Sequence, residues 1–199
     1  MKKLLILFAL VAGFCMFSCE GKKKPVVIEN VEATISTDRE DMFVNQGEYS
    51  WFETVVNYKD FLDEENDGSV ITVTSVFQTV TPVDSTSFDV KVFVYNHANG
   101  ETTTEVNEGP WVEDCVLNNE QITLTFKDAF DKLMAANIVK PHSKVCVLRK
   151  AVGPKEANVQ YIFGDADGAV FVDAITGDVT DVDPFFVEPE TEVEEEVTE

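Results

Sequence analysis

Two periods alternate along the chain. Phe88, Val90, Val92 and Val94 interleave with Asp89, Lys91, Phe93 and Tyr95, and residues 70–80 are rich in β-branched side chains, so two strands are predicted here. Asn96 to Gly100 supplies the turn chemistry for a further return. Val159, Tyr161 and Phe163 alternate with more polar neighbours. The turn residues of 165–168 and the return through Ala169, Phe171 and Val172 complete a hairpin, followed by a second turn at 175–178. Residues 144–151 read as another strand, ending at a Gly153-Pro154 turn, and residues 26–35 as a leading strand. Helical spacing appears twice. Ser50 to Glu53 has the form of a capping box, with Trp51, Val55, Tyr58 and Leu62 following at helical intervals toward a stop near Asn66-Asp67-Gly68. The second helix is capped by Thr125 with Asp128 three positions on, carries Phe126, Ala129, Phe130, Leu133 and Met134 on one face, and ends by Asn137.

The fold class predicted is α+β, helices packed on antiparallel sheet. Both halves read helix, strand, strand, turn, strand, and laying Asn96–Gly100 over Gly164–Gly168 brings Gly109 over Gly177 without a gap. Two tandem α-β-β-β units are therefore expected, at 26–120 and 121–183.

Phe171-Val172-Asp173-Ala174-Ile175-Thr176-Gly177-Asp178-Val179 resembles the last strand of PepSY domains, a family that places one helix before a small antiparallel sheet. The resemblance covers residues 123–180. It implies a non-catalytic module associated with peptidase control. A doubled unit is similar to the β-lactamase inhibitory protein fold, in which paired helix-plus-sheet units present a concave sheet to another protein.

The ends of the chain differ from the body. Lys2 and Lys3 precede an apolar run to Phe17, too short to span a bilayer but of secretory length, so residues 1–18 read as a signal peptide. Met16-Phe17-Ser18-Cys19 resembles a bacterial lipobox, which makes Cys19 the lipid-bearing residue and 19–25 a tether. The other reading is an ordinary cleaved signal with incidental cysteines. The protein is then expected in the bacterial cell envelope, held to a membrane by its lipid. Residues 184–199 are acidic and proline-containing, the composition of a disordered tail; the alternative is that the tail folds back over Lys127, Lys132, Lys140, Lys144, Arg149 and Lys150.

The formal net charge of −22 argues against a nucleic-acid partner. Beyond Cys15 and Cys19, the remaining cysteines Cys115 and Cys146 read either as a disulfide or as two buried thiols. Only His97 and His142 are present, neither with ligands at zinc spacing, and no nucleophile or phosphate-loop motif occurs. The chain is therefore read as not an enzyme, without metal or cofactor. Asp63 to Gly68 imitates the start of a calcium loop but has Thr74 where a glutamate is needed, so it reads first as an acidic turn. Asp165 and Asp167 likewise read as turn residues.

Lys91, Phe93, Tyr95, Trp111 and Tyr161 are the candidate partner surface, with filling of the core as their alternative role. The function expected is a protein-binding envelope lipoprotein, a peptidase inhibitor or regulator in its most concrete form. Two alternatives are a lipocalin-like carrier holding an apolar molecule among Phe77, Phe88, Val92 and Tyr161, and a structural surface protein.

Overall fold

The structure is a computed structural model that describes residues 26–58, 68–141, 143–153 and 155–186. It is a mixed α+β fold with one large antiparallel sheet and two α-helices. Helix α1 is Val31–Gln46 and α2 is Phe126–Ala135. The strands are β1 Ser50–Tyr58, β2 Val70–Pro82, β3 Phe88–Ala98, β4 Glu101–Glu108, β5 Asp114–Cys115, β6 Val145–Ala151, β7 Gln160–Phe163, β8 Val170–Asp173 and β9 Val179–Thr180. Their order across the sheet is β4-β3-β2-β1-β6-β7-β8-β9, with β5 paired beside β1 onto β6. Each helix thus precedes a four-strand meander, and the meanders meet where β1 pairs with β6.

Both helices lie on one face. The register places Val56 beside Val73 and Cys146, and Thr54 beside Ser75 and Leu148, so alternate residues of every strand share that face. These side chains form one core with Val31, Ile35 and Met42 of α1 and Phe126, Ala129, Phe130 and Leu133 of α2. At its centre the rings of Tyr58, Phe126, Phe130 and Phe163 stand 5.6–6.3 Å apart. The backbone N–H of Phe126 donates to Glu32 Oε1 at 2.7 Å and ties the helices together.

The sequence expectation holds for β2, β3, β6, the β7–β8 hairpin and α2. Thr125 and Asp128 close a complete capping box on α2. Asn99 and Gly100 both take positive φ, the left-handed pair that a tight hairpin turn between β3 and β4 requires. The closing motif ends in a turn where Asp173 Oδ1 accepts the N–H groups of Ile175 and Thr176, while the Ala174 carbonyl accepts those of Thr123 and Leu124 just before α2.

Three expectations are corrected. Residues 50–58 are strand β1, not a helix. It is the central strand, buried on both faces through Trp51, Phe52, Val55, Val56 and Tyr58, and a strand covered on both sides carries an apolar run that imitates helical spacing. Residues 26–35 are not a leading strand. Only Ile28 bridges to Val70, and from Val31 the chain is α1, capped by Asn30 Oδ1 on the Ala33 N–H at 2.8 Å. Finally, laying Asn96–Gly100 over Gly164–Gly168 equates the β3–β4 turn with the β7–β8 turn, one strand out of step with the positions of those strands in the sheet.

Residues 184–186 of the segment expected to be a tail are described. Phe185 is buried, and its carbonyl accepts the Lys155 N–H at 3.3 Å beside Gly153. The rest of the tail, the Asp63–Asp67 loop, His142, Pro154 and the region around Cys19 lie outside the described residues.

Candidate functional site

The five residues expected to form a partner surface are not brought together. Phe93, Tyr95 and Tyr161 lie in the core on the helix face: Tyr95 stacks edge-on against Phe77 and donates to Asp41 Oδ2 at 2.5 Å, and Tyr161 donates to the Leu124 carbonyl at 2.8 Å. Lys91 follows the same alternation as Phe93 and pairs with Asp89 at 3.0 Å. Trp111 alone stands half-buried on the opposite, helix-free side, where its backbone N–H donates to Gln78 Oε1 at 2.7 Å. β3 turns its odd-numbered residues to the helices, so Val90 and Val92 lie on the other face. Phe77 and Tyr161 face the helices while Phe88 and Val92 face away, so these four residues line no common cavity.

Trp111 is anchored to β2 at Gln78, and Val80 and Phe88 follow on the same face toward the far end of the β2–β3 hairpin. Its ladder runs without a bulge from Thr72↔Ala98 to Pro82↔Phe88, and the end presents Val80 (53% exposed) and Phe88 (60% exposed) on the helix-free side. Val83 follows at the tip, and Val112 beside Trp111 is 72% exposed. Exposed apolar residues grouped in this way are typical of interaction surfaces.

The tip is rigidly built. Val83 N–H donates to the Ser87 carbonyl at 3.0 Å, and Asp84 Oδ1 accepts the N–H groups of Thr86 and Ser87, each at 2.8 Å. Hydrogen bonds from Ser87 and Thr86 lower the Asp84 carboxyl to about 2, so it stays an acceptor at all but strongly acid pH. Asp84, Asp89, Glu108 and Glu113 lie at this end against Lys91, so its rim is acidic.

The Trp111 platform is held from below by a buried charge cluster. Trp111 Nε1–H donates to Asp114 Oδ2 at 2.9 Å. Arg149 Nε lies 3.0 Å from Asp114 Oδ1, an ion pair by distance whose angle falls short of a hydrogen bond, and Arg149 Nη1 lies 3.7 Å from Glu53 Oε2. Burial, then the neighbouring Asp114 charge, raises Glu53 to about 7 against the pull of Arg149. Burial likewise raises Asp114, opposed by Arg149 and the Trp111 hydrogen bond.

A second polar line runs on the helix side. His97 Nε2 lies 2.6 Å from Asp38 Oδ1, and Thr102 Oγ1 lies 2.9 Å from His97 Nδ1. Asp38 is buried on α1, so this line fastens α1 to β3 and β4. Asp165 caps its own turn by accepting the Asp167 N–H, as expected of a turn residue. Among the described residues no group of three histidine, cysteine or acidic side chains is placed to hold a metal.

Of the two readings of Cys115 and Cys146, the disulfide does not fit the register. Cys115 lies opposite Lys150 and Cys146 lies four residues away along β6, about 13 Å by strand rise and beyond bridging range. Both are free thiols, and burial pushes the Cys146 thiol well up.

Comparison with family models, with curated proteins and with solved structures gave no significant match. Of this surface, sequence reasoning names only Trp111 as a partner residue. The signal was present, in that Phe88 and Val80 are large apolar residues next to turn chemistry, but their exposure depends on the hairpin outrunning its neighbours.

Proposed function

We propose that this chain is a non-catalytic, lipid-anchored protein of the bacterial cell envelope that binds another protein through the end of its β2–β3 hairpin and Trp111. The observation that carries the reading is that Val80 and Phe88 stand exposed on the sheet face that the helices leave uncovered, toward a hydrogen-bonded hairpin tip, with half-buried Trp111 held to Gln78 on the same face. Preorganisation lowers the entropic cost of docking, and large apolar residues beside a tryptophan are the usual anchors of such contacts. The acidic rim favours a partner whose site is apolar at the centre and basic at the edge.

An envelope or secreted peptidase is the most concrete partner in this reading, by way of the PepSY resemblance. Two features support that resemblance: residues 123–180 fold as one helix followed by four antiparallel strands, and the closing motif builds a turn locked to the start of α2. The doubled architecture belongs to the same proposal. It is supported by the matching order of helix and meander on either side of the β1–β6 seam, and not by the residue alignment.

The test is affinity capture from detergent-solubilised envelope with the full chain, beside binding and inhibition assays on a panel of envelope peptidases. Phe88→Ala together with Trp111→Ala is expected to weaken capture of a specific partner at least tenfold. A partner held equally by the double variant would remove the hairpin surface, and a panel neither bound nor inhibited would remove the peptidase.

A further inference from the structure

β4 closes the long side of the sheet, and all eight of its residues are exposed. Among the described residues no chain pairs with its outer edge. The Gly109 N–H donates to the Val90 carbonyl at 2.9 Å, which makes those two residues a hydrogen-bonded pair. Such pairs alternate along an antiparallel ladder, so Glu101, Thr103, Glu105 and Asn107 are bonded to β3. The N–H and C=O groups of Thr102, Thr104, Val106 and Glu108 therefore point away from the sheet.

That row is a template for an added strand. Natural edges are usually blunted by proline, a bulge or a lysine, and β4 has none of these: its ladder is regular and its middle is threonine and valine. It does carry Glu101, Glu105 and Glu108 and no basic residue. Antiparallel pairing of two copies must set outward-facing residues against one another, and the fullest such register places Thr102 against Glu108 and Glu105 against Glu105 on the two-fold axis, which disfavours a second copy. We infer that β4 takes up an extended, basic segment of a partner protein as an additional strand. Alternate lysine or arginine side chains of that segment would lie beside Glu101 and Glu105, which share one face of the strand. This surface meets the hairpin end only at Glu108, and its failure would leave the hairpin reading standing.

The experiment uses the full chain in detergent and an eight-residue peptide of alternating lysine and threonine. The same peptide methylated at every backbone nitrogen, equal in charge but without N–H groups to pair as a strand, is the control. Binding is read by fluorescence anisotropy and by backbone amide exchange. The lysine–threonine peptide is expected to slow exchange at Thr102, Thr104 and Val106 at least tenfold. Thr104→Pro removes one outward donor without touching the β3 ladder, and should weaken binding at least tenfold. If that variant fails to fold, the pair Glu101→Lys and Glu105→Lys serves instead, and should turn the preference toward a glutamate–threonine peptide. Equal binding of the N-methylated peptide, or unchanged binding by a folded Thr104→Pro, would reduce the interaction to charge alone and overturn the inference. Self-association protecting β4 before any peptide is added would overturn it in favour of a second copy.

Discussion

Glu53 shows how a single side chain couples the sheet to pH. It sits in the middle of the helix-free face, opposite Val76 and Arg149, with Asp114 reaching toward it from β5. Its carboxyl ionises near 4.5 in the unfolded chain and near 7 in the folded one. A carboxyl raised by folding contributes most below about pH 4.5, and that contribution is lost as pH rises toward 7. The gap corresponds to roughly 3 kcal/mol. Glu53→Gln is expected to flatten the decline in stability between pH 5 and 7, and to leave the variant more stable than the parent at pH 8. Urea unfolding at several pH values measures this, and an unchanged slope would show that Glu53 is not the group responsible. The Asp38–His97 pair is structural in the same sense. His97→Ala leaves a buried carboxylate without its partner and should cost about 3 kcal/mol, read as a lowered unfolding midpoint.

Among the elements, the ones visible in sequence were those whose environment matches their pattern. β3 alternates because one side of it meets the helices, and α2 carries a clean apolar stripe with its cap in place. α1 escaped because its buried stripe is Val31, Ile35, Asp38 and Met42: a charged residue sits in the core line, while Phe43 and Val44 point outward. β1 escaped for the opposite reason, being apolar on both sides. The candidate surface was misplaced by the same ambiguity. Alternation says that two faces exist, but only the position of α1 decides which of Phe88 and Phe93 is covered. A further element-scale consequence concerns the segment that closes on the end of β6. A Cβ at Gly153 would stand 2.5 Å from the Phe185 carbonyl oxygen, so Gly153→Ala must displace that segment. A loss of about 1–3 kcal/mol is expected, together with faster amide exchange at Lys155, whose N–H would lose its acceptor.

At the scale of the molecule, the hairpin surface lies at the opposite end of β3 from the start of the described chain. Val26 rests against Gly100 at the β3–β4 turn, and the eleven residues of β3 span about 35 Å. A lipid on Cys19 would therefore hold the β3–β4 turn near the bilayer and present Phe88 and Trp111 outward. The pairing of β1 with β6 carries another implication, for the order of events during biogenesis. Glu53–Asn57 finds one of its two neighbours only at Val145–Arg149, about ninety residues later. Distant partners of this kind form slowly and late. A chain ending before β6 is expected to show little amide protection in β1, because one side of that strand would be open and Phe163 of its aromatic cluster missing; native-like protection in such a fragment would refute this. β1 thus waits for β6 to be synthesised, and a chain crossing a membrane as an unfolded thread would join the two halves of its sheet only near the end of the passage.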